Sequence, residues 1–112
     1  MNNEFIYHVI SQEEWENTVG MELYSPPSLQ NEGFIHFSFK EQIPGVIERF
    51  YSDQVGLLVL KVAVNKIKSR LKFEMVSTAG LFPHLYGQLN TDSVVGVYPI
   101  CIDENKKVFW SE

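Results

Sequence analysis

The stretch "GFIHFSF", residues 33–39, decides how the middle of the chain folds. Side chains alternate between the two faces of a strand, so Ile35 and Phe37 point one way while His36 and Ser38 point the other. One face of this predicted strand is therefore apolar, and the other is polar without being charged. We expect the apolar face to join the core and the polar face to line a cleft. Ser38 has a second use open to it, as the N-cap of the helical segment that follows.

The segments on either side predict a mixture of strands and short helices with no regular βαβ order. Strands are expected at 4–10, 34–38, 56–63 and 71–76, and at "VVGVYPICI" and "KVFW" near the end. Helices are expected after the capping box "SQEE" as far as Val19, as one turn closed by Gly33, and at "VIERFY", with Pro44 and Gly45 interrupting the last segment. This mixture predicts the α+β class, with the apolar run "GLLVLKVA" as a central strand.

Residues 77–93 are predicted to form a long irregular loop. The segment contains "LFPHLYGQL", which is too apolar and aromatic to be disordered. We expect it to pack down on the domain and to present His84 and Tyr86.

Length, charge and cysteine content limit the class of protein. The 112 residues predict a single domain, residues 1–112, and the net charge of −5 does not favour a nucleic-acid partner. No apolar run approaches the ~18 residues of a membrane helix, and the first ten residues lack a signal-peptide pattern, so a soluble, cytoplasmic protein is expected. Cys101 lies in the apolar run "VYPICI" and is predicted to be buried and inert.

Three histidines, at positions 8, 36 and 84, all have apolar neighbours. Each can be a hydrogen-bonded, half-buried imidazole with a structural role, or the three can share a site. A shared site leaves three chemistries open. The first is zinc binding, but the three histidines are not closely spaced in sequence and have no carboxylates nearby, so no metal is expected. The second is the chemistry of two-histidine phosphoesterases, whose His-x-Ser/Thr strand motif occurs twice. Here "HFS" matches that motif and "HLY" is a poor second copy. The third is nucleotide binding. Neither a Gly-x-Ser-x-Gly elbow nor a glycine-rich phosphate loop is present.

The segments "EGFIHFS" and "FPHLYG", together with "IYHVIS", "EQIPGVIERFY" and "GLLVLKV", carry a family resemblance. From about Phe5 to Val97 the chain resembles the bacterial family called domain of unknown function 952. That family looks related to the ADP-ribosyltransferase superfamily, and to the small RNA 2′-phosphotransferases in particular. The resemblance implies an ADP-ribosyltransferase-like fold, with mixed or antiparallel strands in two small sheets around a cleft, and short helices.

The resemblance also implies a site that takes NAD or an ADP-ribose-like nucleotide as a small-molecule substrate. His8 on the first strand and His36 with Ser38 on the second match the superfamily's pattern, and Glu74 is not assigned to the site. The expected catalytic residues are His8, His36 and His84. The expected ligand-binding residues are Tyr7, Ser38, Arg49, Phe82 and Tyr86. The alternative is a noncatalytic module that binds a small ligand or a protein through the same cleft.

Overall fold

The computed structural model describes residues 4–112, and the α+β class predicted from the sequence is confirmed. The strands are β1 (Phe5–Ser11), β2 (Leu23–Tyr24), β3 (Ile35–His36), β4 (Leu57–Ala63), β5 (Arg70–Val76), β6 (Gly80–Tyr86), β7 (Leu89–Asn90), β8 (Val94–Pro99), β9 (Cys101–Ile102) and β10 (Val108–Phe109). The α-helices are α1 (Gln12–Thr18), α2 (Pro27–Glu32) and α3 (Ile43–Phe50), and 3₁₀ turns lie at Lys40–Gln42, Val64–Lys66 and Thr91–Ser93.

Two three-stranded antiparallel sheets dominate the described part of the chain. The first has the order β1-β4-β8 and the second the order β3-β6-β5, so β5 is an outer strand. Two short ladders, β2-β7 and β9-β10, accompany them. The large sheets meet where Tyr7 and Ser38 exchange two backbone hydrogen bonds of 2.8 and 2.7 Å. Several small antiparallel sheets thus replace the expected two.

The core lies on both faces of the first sheet, which explains the nearly continuous apolar run of β4. Val59, Leu60 and Val62 are completely buried in this central strand. One cluster joins alternate residues of β1 to Phe37 and Leu85 of the second sheet region. The other cluster packs α3 against the opposite face of the first sheet. A central strand covered on both faces is the expected origin of such a run.

The short helices begin and end at the residues that local chemistry favours. Ser11 caps α1, because its Oγ accepts a 3.0 Å hydrogen bond from the Glu14 N–H. Gly33 closes α2 in the left-handed region, with φ at 90°, where a glycine has no steric penalty. Both boundaries were predicted from the sequence.

Two predictions around α3 are wrong. Pro44 and Gly45 do not interrupt the helix, because they lie in its first turn, where a missing N–H removes no intrahelical bond. Ser38 is not an N-cap either. The N-cap of the 3₁₀ turn is Phe39, whose N–H donates to Gln42 Oε1 at 2.8 Å.

The prediction of a loop over 77–93 is also wrong. Residues 80–86 form β6, which pairs with β5 as a hairpin and with β3 on its other side. Pro83 is tolerated in this central strand because its carbonyl accepts from the Phe37 N–H at 3.0 Å, beyond the end of β3. Its nitrogen, which has no hydrogen, therefore faces a point where regular pairing has ended.

Cys101 is exposed, which corrects the prediction of a buried thiol. The apolar run "VYPICI" ends β8 at Pro99, and β9 begins a short surface ladder with β10. Strand alternation turns Ile100 and Ile102 toward the core and Cys101 away from it. No helix within residues 4–112 has the length and apolar character needed to cross a bilayer.

Candidate functional site

His36 and His84 stand directly opposite each other on β3 and β6, and Lys72 stands opposite His84 on β5. The three side chains form one row across the second sheet, on the face away from Ile35 and Leu85. The two imidazole rings approach edge to face, with their centroids 5.6 Å apart. His36 has 53% of its side chain exposed, whereas the whole of His84 is only 5% exposed.

A carboxylate orients the imidazole of His84. Its Nδ1 lies 2.9 Å from Glu74 Oε1, and the Tyr86 hydroxyl donates to the same oxygen. The hydrogen bond from Tyr86 and the one from His84 lower the pKa of the Glu74 carboxyl. Because an ionised carboxylate only accepts, we assign the proton of neutral His84 to Nδ1. The Nε2 then holds a lone pair, and no group within residues 4–112 donates a hydrogen bond to it.

His36 has a carboxylate of its own. Its Nε2 lies 2.9 Å from Glu32 Oε2, at the end of α2. The left-handed turn at Gly33 brings that helix end next to β3. Glu32 and His36 are each about half exposed, so their contact is open to solvent and adjusts easily to a ligand.

Aromatic rings cover the row. The Phe34 ring stacks on the His84 imidazole at a centroid distance of 4.1 Å, and it also contacts His36 at 4.8 Å and Tyr86 at 5.4 Å. The Lys72 ammonium lies 5.0 Å from the centroid of the Tyr86 ring. A flat apolar surface therefore adjoins a positive charge and two imidazoles.

His8 lies elsewhere, buried between the two sheets. Its Nδ1 is 2.6 Å from the His36 carbonyl oxygen, and its Nε2 is 2.8 Å from the Tyr24 hydroxyl. A carbonyl only accepts, so Nδ1 carries the proton and Tyr24 donates to Nε2. Burial lowers the pKa of His8 to about 4. Both ring nitrogens are therefore occupied, and the bond to the His36 carbonyl lets His8 hold β3 in place. The catalytic role of His8 stays a prediction.

The Tyr24→Phe change is expected to lower the free energy of unfolding by about 1–3 kcal/mol, because it leaves the buried Nε2 of His8 without a donor. Urea denaturation measures the loss. The matched control is Tyr98→Phe, whose hydroxyl makes no hydrogen bond to other groups of residues 4–112 and whose removal is expected to change stability by under about 0.5 kcal/mol. Equal losses in the two variants would contradict the assigned donor.

The other predicted site residues divide into two groups. Phe82 and Tyr86 lie on β6 at positions that share the face of His84, and Ser38 is buried beside this sheet with its backbone bonded to Tyr7. Tyr7 and Arg49 are not part of the row. The Tyr7 hydroxyl donates to Glu112 in a separate cavity, and Arg49 is exposed on α3 with its guanidinium 5.9 Å from the Phe50 ring.

Sequence reasoning missed four members of the site: Glu32, Phe34, Lys72 and Glu74. Glu74 was not assigned to the site from the sequence, yet it orients the His84 imidazole across the β5–β6 hairpin. A signal was present. Lys72 and Glu74 alternate with apolar residues on a predicted strand, and pairing that strand with 80–86 would have placed them beside His84.

Nowhere in the range 4–112 do three or more side chains of the metal-binding types come together in a way that could hold an ion. That the protein uses no metal ion stays an expectation.

The chain belongs to the family described as "Protein of unknown function (DUF952)", whose model matches residues 9–97. It is similar to the crystal structure of protein CC0527 from Caulobacter crescentus, with 25% identity over 94% of this chain and 93% of that chain and a TM-score of 0.83. The solution NMR structure of the same protein gives 26% identity over 93% and 90% of the two chains and a TM-score of 0.79. No protein of curated function matches the sequence. The family and the fold are thus shown, and a relationship to ADP-ribosyltransferases stays a prediction.

Proposed function

We propose that the row of His36, His84 and Lys72 binds a phosphate-bearing, nucleotide-like ligand of the NAD or ADP-ribose type, and that the two imidazoles act on it as a general acid and base. One observation carries the proposal. The rings stand opposite each other on neighbouring strands, 5.6 Å apart, and each is bonded to its own carboxylate. Paired imidazoles of this kind can remove one proton and supply another in the same step.

The tautomer of His84 suits it to the role of base. Glu74 fixes the proton on Nδ1, so Nε2 can take the proton of an attacking hydroxyl as its oxygen forms a bond to phosphorus. The bond from phosphorus to the leaving oxygen breaks, and that oxygen takes a proton from protonated His36. Glu32 accepts a hydrogen bond from Nε2 of that ring before the transfer. One proton is removed and one supplied, so the step balances.

This arrangement suits phosphoryl transfer better than ADP-ribosyl transfer. Nicotinamide leaves NAD as a neutral base and needs no proton, so an acid opposite His84 would have no task in that reaction. An alkoxide leaving group from a phosphoester does need one.

Binding would draw on charge and ring stacking. Lys72, which is half-buried, lies in the row, and the exposed Arg70, opposite Tyr86 in the same hairpin, adds a second cation to this end of the sheet. Phe34 and Tyr86 offer faces for a base or a nicotinamide ring. Two cations on a chain of net charge −5 fit a small nucleotide better than a nucleic-acid strand.

An NMR titration of labelled protein tests the binding. NAD, ADP-ribose and a 2′-phosphorylated oligonucleotide are added separately, while the imidazoles and the amides of residues 33–39 and 80–86 are followed. We expect saturable shifts at His36 and His84 with at least one ligand. We expect the same affinity in Arg49→Gln, which changes an exposed cation outside the row, and at least about tenfold weaker binding in Lys72→Gln. No shift with any of the three would overturn the proposal.

A noncatalytic binding module is the second candidate, and the position of Phe34 favours it. The ring lies on His84 at 4.1 Å and helps to hold that residue at 5% exposure, which restricts access to Nε2. Phosphorus NMR of the bound ligand distinguishes the two. A binding module leaves the ligand unchanged over days. An enzyme releases a product, and the rate of its formation is proportional to the protein concentration.

A further inference from the structure

A second cavity, of about 470 Å³, lies where β1 and β4 adjoin the segment after Ser38. Two lysines, one tyrosine and two glutamates, Glu41 and Glu112, supply its polar groups, and aromatic rings form its walls. The residues that matter are Phe5, Tyr7, Phe39, Lys40 and Lys61, with the Glu112 side chain inside. None of them belongs to the row of His36, His84 and Lys72.

The Glu112 carboxylate is held by three donors. Its Oε2 accepts from the Tyr7 hydroxyl at 2.9 Å and lies 3.0 Å from the Lys40 ammonium, and its Oε1 is paired with Lys61. The hydrogen bond from Lys61 is the largest cause that lowers the pKa of Glu112, to about 2. This environment is therefore strongly selective for a carboxylate in its ionised form.

The regular fold supplies these donors, independently of the segment that carries Glu112. Tyr7 and Lys61 are direct partners on β1 and β4, so the first sheet fixes their spacing. The Lys61 ammonium lies 4.2 Å from the centroid of the Phe5 ring, and the side chain is only 20% exposed. Lys40 begins the 3₁₀ turn after Phe39. Without Glu112, two ammonium groups and the single carboxylate of Glu41 would line the recess, so its net charge would be positive and would favour an anion.

We propose that this recess is a binding site for a small carboxylic acid with an aromatic or apolar body, and that Glu112 is its internal, competing occupant. The three donors lie together and would hold the carboxylate. Phe5 and Phe39 would contact the apolar body. A free acid and the terminal carboxylate of a peptide share this chemistry.

The competing explanation is that Glu112 only fastens its segment to the sheet. The two explanations differ in one respect. If Glu112 only fastens its segment, changing Glu112 lowers the stability of the protein and does not raise its affinity for any ligand. If Glu112 is an internal occupant, changing it lets the recess bind an external carboxylate more tightly. The reason is that the tethered Glu112 side chain, at a high effective concentration, no longer competes for the recess.

Benzoate is the probe for the test, and benzyl alcohol is its uncharged control. Each is titrated into labelled wild type, Glu112→Gln, Glu104→Gln and the double variant Glu112→Gln/Lys61→Met, with the amides of Tyr7, Lys40 and Lys61 followed by NMR. Glu104→Gln is the matched control, since this exposed glutamate lies in the turn after β9. We expect benzoate to bind Glu112→Gln at least about tenfold more tightly than wild type or Glu104→Gln, and the double variant to lose that gain.

Two results would overturn the proposal: equal benzoate affinities in wild type and Glu112→Gln, or no preference of Glu112→Gln for benzoate over benzyl alcohol. If Glu112→Gln does not fold, the titration of the wild-type protein tests the proposal instead. High benzoate should then displace Glu112 and shift the indole of Trp110, which lies edge-on to Tyr7 at 5.7 Å, whereas benzyl alcohol should not. An unmoved indole would overturn the proposal. N-acetylphenylalanine, as a third probe, distinguishes a peptide terminus from a free acid by its affinity relative to benzoate.

Discussion

The His84→Asn change is expected to lower kcat for a nucleotide phosphoester by about 10²–10⁴-fold, the range that one general base contributes. The asparagine amide can still donate toward Glu74, as Nδ1 of the imidazole does, but it offers no lone pair at the position of Nε2. The variant thus removes the proton acceptor and preserves the bond that orients it. Initial rates from phosphorus NMR at saturating substrate measure the effect.

Arg49→Gln is the control for this variant, because Arg49 is exposed on α3 outside the row, and its kcat should equal that of wild type. The pH dependence of kcat supplies a second readout. Removal of a general base should abolish the dependence on its deprotonation as well as lower the rate. If His84→Asn raises KM and leaves kcat unchanged, His84 contributes to binding alone and the assignment as base is wrong.

Acidification from pH 6.5 to 4 is expected to lower the free energy of unfolding by about 3 kcal/mol through His8. The pKa of His8 falls from 6.5 in the unfolded chain to about 4 in the fold, because burial penalises the charged ring. Between these values the unfolded chain binds a proton that the folded chain does not. The stabilisation is therefore complete above pH 6.5 and is lost as the pH falls toward 4. Urea denaturation at pH 7, 5.5 and 4 measures it.

His8→Asn is the matched variant for this experiment. It keeps a donor toward the His36 carbonyl but cannot titrate, so it should be less stable at pH 7 and show a much smaller loss on acidification. The pKa values of Glu74 and Glu112 are also lowered in the fold, but the stability that these groups contribute is lost at more acidic pH than most of this interval. An undiminished pH dependence in His8→Asn would show that another group is responsible.

Local patterns predicted the elements whose signals are contained within a few residues. The capping box gave the start of α1, the apolar run gave central β4, and alternation at 33–39 placed His36 on the face opposite Ile35. β6 was missed because Pro83 normally argues against a central strand. Its acceptability depends on where β3 ends, and that end is set by tertiary structure.

The roles of the histidines needed tertiary structure for the same reason. "IYHVI" and "FIHFS" look alike, yet His8 is buried and His36 is exposed. β1 is covered on both faces because α3 and the Phe37 region pack against it, whereas the face of the second sheet that carries His36 is covered by no other element, and Phe34 lies mainly on His84. The carboxylate beside His84 likewise depends on hairpin register, which connects residues ten positions apart.

The outer position of β5 limits how its residues can be changed. A strand with an unpaired edge is a template for adding another strand, and Phe73 and Met75 on this one are already exposed. The charges of Arg70, Lys72 and Glu74 protect that edge against intermolecular pairing. Lys72 therefore contributes to solubility as well as to the proposed site, and a change to valine would promote aggregation and obscure any effect on ligand binding. Glutamine at this position keeps the edge polar and separates the two contributions.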